Sequence, residues 1–124
     1  MSVAEIDFGL LAGDGIVTRF AKAGEIIFNE GDEADQLFVI TSGRIGIRSG
    51  NRTLAEFSAN SIFGEMALID DAPRSATAVA ITDVELVPIS EKQFLFLVSQ
   101  TPFFALNLMR LLARRLRATN KAFV

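Results

Sequence analysis

A chain of 124 residues with a formal net charge of −3 is long enough for one domain with a true core and too short for two. Half of its residues are hydrophobic and 22% are charged, the balance of a folded globular protein, and the acidic sign argues against a nucleic-acid surface spread over the whole domain. It contains no histidine and no cysteine, which excludes Ser–His and Cys–His nucleophiles and thiol chemistry and removes the usual ligands of zinc and copper. The expectation is a protein that is not an enzyme and carries no metal or cofactor.

No stretch approaches the roughly 20 apolar residues of a bilayer span. The longest apolar run near the C-terminus is residues 94–98. The start, MSVAEID, lacks the basic and apolar regions of a signal peptide and reads as a genuine N-terminus, so a cytoplasmic location without membrane attachment is the default.

In chain order, Ile6, Phe8, Leu10 and Leu11 fit a short helix or an apolar arm ahead of the Gly13-Asp14-Gly15 break. From residue 16 to about residue 90 the pattern is short strands separated by turns. The strands are expected at 16–20, 25–28, 36–41, 44–48, 52–57, 76–80 and 84–89, with turn residues such as Glu30-Gly31-Asp32, Ser42-Gly43 and Ala59-Asn60-Ser61 between them. Strands this short and this evenly spaced predict a sandwich or jelly-roll barrel rather than an alternation of strands and helices.

After Ser90 the period changes. Ser90-Glu91-Lys92-Gln93 is a capping box opening a helix over 91–99, and Thr101-Pro102 reads as an N-cap followed by proline at the first helical position of a second helix over 102–121. Ala105, Leu108, Met109, Leu112 and Leu116 form one apolar face of that helix, widened by Phe104, Leu111 and Ala118. So wide a band predicts packing on the β-domain along one side and on a partner helix along the other. Arg110, Arg114, Arg117 and Lys121 form a basic stripe, read as a solvated face, with an acidic partner surface as the alternative.

Chemistry concentrates in residues 63–78, FGEMALIDDAPRSATA. Gly64 to Ile69 fits a single helical turn, whose first amides seat an anion and whose glycine allows close approach. Arg74 can add a fork of charge-assisted donors, and Ser75 a hydroxyl. Glu65 would repel a phosphate but can accept from a neighbouring hydroxyl, as in the ribose of a cyclic nucleotide. On the residues alone the simpler alternative is the stronger, with Arg74 a surface turn residue and Glu65 a helix-terminal charge. Asp70 and Asp71 read as a solvated turn.

Gly64-Glu65-Met66-Ala67-Leu68, followed after a short gap by Arg74-Ser75-Ala76-Thr77-Ala78, closely resembles the phosphate-binding cassette of cyclic nucleotide-binding domains, and GEIIFNEGDEADQLFVITSG over 24–43 resembles their early strands. The resemblance implies a fold that is mainly β with flanking helices. In it, a jelly-roll β-roll (double-stranded β-helix) over about 16–90 and C-terminal lid helices over about 91–121 make the whole of 1–124 one domain. It implies that Glu65 holds the ribose 2′-hydroxyl, that Arg74 pairs with the cyclic phosphate and that Ser75 stands beside it. The backbones of Gly64, Met66 and Ala76 line the phosphate with Ala67 in the same turn, and Ile47, Ile62 and Phe63 are apolar neighbours of base or sugar. The last helix resembles that of the bacterial catabolite activator group, where such a helix forms a dimer seam and caps the base, so Thr119 and Asn120 are expected at the adenine edge and helix 102–121 at a homodimer interface.

Serine at 75 leans toward cAMP, while Asn120 offers both donor and acceptor, so cGMP remains open. The chain stops at Val124, where that group begins a helix-turn-helix domain, so direct DNA binding by this chain is not expected. A stand-alone sensor and a piece of a larger regulator, channel or kinase are both open. The expected function is therefore a cyclic nucleotide-binding regulatory domain whose C-terminal helix responds to ligand. The alternative is a non-binding interaction or dimerisation domain that retains the fold. A cupin-type enzyme, which shares the architecture, would normally need histidines that are absent here.

Overall fold

The run Leu37-Phe38-Val39-Ile40 is apolar at every position, and a strand with that pattern must be covered on both faces. In the computed structural model, which describes residues 17–69 and 72–119, all four side chains are buried. Leu37 and Val39 face one apolar cluster, and Phe38 and Ile40 face another. That strand, β3 (Gln36–Ser42), is where the two layers of the core meet.

The strands before it are β1 (Arg19–Ala21) and β2 (Ile26–Phe28). After it come β4 (Arg44–Ser49), β5 (Arg52–Ser58), β6 (Ile62–Phe63), the single turn α1 (Met66–Ile69), β7 (Thr77–Ala80) and β8 (Val84–Ser90). The helices α2 (Glu91–Gln100) and α3 (Pro102–Thr119) follow. Among the described residues the strands form two four-stranded sheets, β1-β8-β3-β6 and β2-β7-β4-β5, with every pairing antiparallel.

The inner faces of the two sheets enclose Phe38, Ile40, Ile45, Phe63, Ala78, Ala80 and Leu86. The outer face of the first sheet carries Leu37, Val39, Ile62, Val87 and Ile89, which Leu97 of α2 and Leu108 of α3 cover. This is the mainly β roll with flanking helices that the resemblance implies, and it agrees with the jelly-roll reading of the strand spacing. Pro88 falls inside β8, opposite Phe38 of β3, yet β1 reaches only as far as Leu86, so the missing amide breaks no ladder on that side.

Most expected elements agree within a residue or two. The strand expected at 16–20 starts at Arg19, and its first residue lies outside the described ones, as do the N-terminal arm and Asp70-Asp71. β6 was not expected: two residues are too few to show a period. The capping box of α2 is formed in full, with the Ser90 hydroxyl accepting from the Gln93 amide at 3.2 Å and the Ser90 amide donating to Gln93 Oε1 at 2.9 Å. The Thr101 amide and hydroxyl both donate to the Leu97 carbonyl, at 2.8 and 2.6 Å, so the residue expected to start α3 also closes α2.

The wide apolar band of α3 divides. Leu108 is buried, with Ala105, Leu111 and Leu112 half-buried beside it, whereas Met109 and Leu116 stay 60% and 62% exposed. The 100° advance per residue accounts for this, since Met109 and Leu116 lie about 80–100° round from Leu108, on the flank of the packed face. The side chains of Phe104 and Ala118 lie outside the described ones. Arg110, Arg114 and Arg117 are exposed, and Lys121 is outside the described residues. No single helix among the described residues is long and apolar enough to cross a membrane.

Candidate functional site

Glu65 and Arg74, each 8% exposed, are the buried charged residues of the described chain, and they stand on either side of α1. Arg74 is fixed by main chain. Its Nη1 donates to the Gly64 carbonyl at 2.9 Å and its Nη2 to the Gln36 carbonyl at 2.7 Å. Its own amide donates to Asp32 O, and its carbonyl accepts from Gly31, both at 2.8 Å, so the Glu30-Gly31-Asp32 turn holds the residue from behind. The guanidinium carbon lies 4.0 Å from the centroid of Phe28, a cation–π distance.

Gly64 makes this approach possible. Its φ is +74°, and a Cβ there would stand 2.8 Å from Arg74 Nη1. Arg74 Nε is buried without a hydrogen-bond partner among the described residues. Burial pulls the Arg74 pKa below its ordinary value, and the charges of Asp35, Asp32 and Glu65 pull it back. An arginine so placed stays charged at any physiological pH.

Glu65 does not pair with Arg74. Its Oε1 accepts from Arg115 Nη1 of α3 at 2.7 Å, and Arg115 Nη2 donates to the Ile62 carbonyl at 2.6 Å. The Arg115 guanidinium also sits 4.2 Å from the centroid of the Phe57 ring. The amides of Ala67 and Leu68 donate back to the Gly64 and Glu65 carbonyls, at 3.2 and 3.1 Å, and so tie the start of α1 to the two residues before it.

These groups surround a cavity of about 290 Å³. Phe28, Ile47, Phe57 and Phe63 give it apolar walls, residues 64–67 and 72–76 form its cassette side, and Ala34 and Arg115 complete the lining. The arrangement offers an anion a buried cation with an unused donor, offers a hydroxyl a carboxylate already braced by a second cation, and offers a flat apolar group a wall of rings.

Of the residues singled out in the sequence, Gly64, Glu65, Met66, Ala67, Arg74, Ser75, Ala76, Ile47 and Phe63 all line this cavity. Ile62 does not. In a strand, neighbouring side chains point to opposite faces, so Phe63 turns inward and Ile62, fully buried, packs under the helices, giving the site only its carbonyl. Thr119 ends α3 with its side chain outside the described ones, and Asn120 lies beyond the described residues.

The sequence reading missed Arg115, Phe57, Phe28, Ala34, Ala72 and Pro73. For Arg115 a signal existed. It lies seven residues after Leu108, about 20° away around the helix, and therefore at the centre of the packed face of α3 and not in the basic stripe. A cation on an apolar face asks for a buried partner.

A family model described as the cyclic nucleotide-binding domain matches residues 18–101. The cyclic AMP receptor protein of Thermus thermophilus is 39% identical over 104 residues, covering 80% of this chain and 48% of that relative. The crystal structure of the Thermus thermophilus catabolite activator protein superposes with a TM-score of 0.78 at 34% identity, covering 92% of this chain and 61% of that one. The EAL enzyme Bd1971 is similar in a cAMP-bound form, with TM-score 0.62, 36% identity and coverage of 83% and 29%. Its cGMP-bound form gives 0.63, 37%, 86% and 30%. The chain thus spans about half the length of the curated relative it matches.

Proposed function

The chain belongs to the cyclic nucleotide-binding domain family, and from that premise we propose that its cavity takes a 3′,5′-cyclic nucleotide, cAMP ahead of cGMP, and that α3 responds to it. The observation that carries this reading is Arg74, a buried guanidinium on the cavity wall whose Nε has no partner among the described residues. A buried donor without an acceptor costs about 1–3 kcal/mol, and a cyclic phosphate in the cavity supplies the acceptor.

Glu65 takes the ribose 2′-hydroxyl. A carboxylate has acceptor positions on both oxygens, so the bond from Arg115 at Oε1 leaves capacity for a hydroxyl. Gly64, Met66, Ala67 and Ala76 shape the phosphate end, with the Ser75 hydroxyl at its rim, and Ile47 and Phe63 face base and sugar. Thr119 and Asn120 remain the proposed contacts of the base edge. Because Arg115 joins α3 to Glu65, a ligand at Glu65 reaches the helix, and it shifts the helix only by its differential affinity for two states. The chain then acts as a regulatory sensor module. Met109 and Leu116, exposed and one heptad apart, support pairing of α3 with a second copy, which light scattering after gel filtration reads.

Isothermal calorimetry with cAMP and cGMP tests the reading, and it suits a chain without tryptophan or tyrosine. Wild-type protein should bind at micromolar concentrations or tighter, cAMP more strongly, and Arg74→Ala should bind at least tenfold more weakly. Absence of heat, with no thermal stabilisation at millimolar ligand, would refute it, since ligand at 100 times its Kd adds about 2.7 kcal/mol. That outcome would leave an interaction domain built on the inherited fold.

A further inference from the structure

Arg115 carries much of the site's geometry, yet an arginine side chain is long and loses considerable rotamer freedom when held in one place. Hydrogen bonds from it run to the cassette, at Glu65 Oε1, and to the first sheet, at the Ile62 carbonyl of β6. Neither contact restrains the guanidinium plane from its face. The Phe57 ring does so, at 4.2 Å from the guanidinium carbon.

Phe57 is well placed for this. It lies on β5, at the edge of the second sheet, opposite Ile45 of β4, and packs against the cluster inside the roll. Its ring has only two torsions to fix and is braced from below. Arg115 is thereby the point at which α3, the cassette and both sheets meet, and Phe57 is the contact contributed by the second sheet.

We propose that Phe57 is a positioning residue for nucleotide binding: its ring holds the Arg115 guanidinium in the plane in which Nη1 meets Glu65 Oε1, so that Glu65 stays aimed at the ribose. This rests on the ribose role of Glu65 given above. The energy comes from the attraction between a cation and the negative face of the ring, so an aliphatic side chain of similar size does not replace it. Phe57 then acts through Arg115 on one substituent of the ligand, the 2′-hydroxyl, and not on the phosphate.

The test is a double-mutant cycle on the full chain, comparing wild type, Phe57→Leu, Arg115→Ala and the double variant. Each is titrated calorimetrically with cAMP and with 2′-deoxy-cAMP and unfolded in urea. Phe57→Leu should weaken cAMP by between about threefold and tenfold, the range of a cation–π contact, and should weaken the 2′-deoxy ligand less. In the Arg115→Ala background the same substitution should cost less than about twofold, because the contact it removes is already gone. Phe57→Tyr, which keeps the ring face, should recover most of the loss.

Additive losses for the two substitutions would overturn the proposal, as would equal losses for both ligands; Phe57 would then be packing on the ligand or the roll directly. Should the leucine variant not unfold cooperatively, Phe57→Met completes the same cycle. The failures are distinguishable. If wild type binds neither nucleotide, the functional reading falls and this one with it. If wild type binds and the cycle is additive, only the role of Phe57 falls.

Discussion

The two charged corners of the cavity are built on different principles. Arg74 is held by the roll itself: two main-chain carbonyls take its Nη groups, a turn clamps its backbone and Phe28 lies under its plane. Glu65 is held by a side chain on α3, fifty positions further along the chain, on a helix that rests on the roll through Leu108, Leu111 and Leu112. The corner proposed for the anion is therefore tied to the main chain of the roll, and the other, proposed for the hydroxyl, is not. The hydroxyl corner is shared with a separable element. On the proposed reading, a ligand that bridges the two would be held by the first and felt by the second.

The largest expected effects fall on the rigid corner. Arg74→Ala leaves the Gly64 and Gln36 carbonyls without their donors, each worth about 1–3 kcal/mol when buried. Urea unfolding should show a stability loss of about 2–4 kcal/mol, over and above the loss of binding. If this variant were as stable as wild type, the corner would not belong to the core and the contrast would collapse.

Gly64→Ala comes next. An alanine at φ +74° costs about 1–2 kcal/mol, and its Cβ would press on Arg74 Nη1 from 2.8 Å. Stability should fall by about 2 kcal/mol, and nucleotide affinity should fall with it because the guanidinium is displaced. A variant that lost stability and kept wild-type affinity would separate the glycine from Arg74 and weaken the argument for both.

The same contrast governs what was legible in the sequence. The cassette is local: Gly64, Glu65 and Arg74 fall within a dozen positions, so an anion seat is conceivable from residue types, but only the family resemblance set it above the simpler reading of Arg74 as a surface turn residue, which its burial overturns. The buried strands could be placed because apolar runs and turn residues alternate, and Ser90 with Gln93 marked the start of α2 by capping chemistry that needs no tertiary structure.

What resisted was either too short or too distant. The two residues of β6 show no period, so nothing in the sequence separates Ile62, which the resemblance implies as a neighbour of base or sugar, from Phe63, although the two pack on opposite faces. Arg115 and Phe57 come from elements that do not adjoin in sequence, and their contact exists only once α3 has folded back over the roll. The clue for Arg115 was its angle on the helix, and it was obscured by the neighbouring Arg114 and Arg117, which are exposed.

The smallest effect, and the sharpest discriminator, belongs to Arg115→Ala. The pair it breaks is partly exposed, with 23% of the Arg115 side chain and 10% of the Glu65 side chain accessible, so solvent screens part of its attraction. Global stability should fall by only about 1 kcal/mol. The local consequence should be larger than that figure implies, because Arg115 ties the last turns of α3 to the cassette. Hydrogen exchange should therefore show lost protection in the amides from Arg115 to the end of α3, while those of β3 and β8 in the roll keep theirs. Affinity for cAMP should drop by between about threefold and tenfold, with less change for the 2′-deoxy ligand. Raising the ionic strength of the wild-type protein should move the same amides in the same direction, since salt weakens the same ion pair. Loss of protection spread evenly through the sheets would mean that α3 and the roll form one unit, and the hydroxyl corner would then be as rigid as the anion corner. Unchanged protection with unchanged affinity would mean that Leu108, Leu111 and Leu112 suffice to hold the helix, leaving the ion pair without a part in the response.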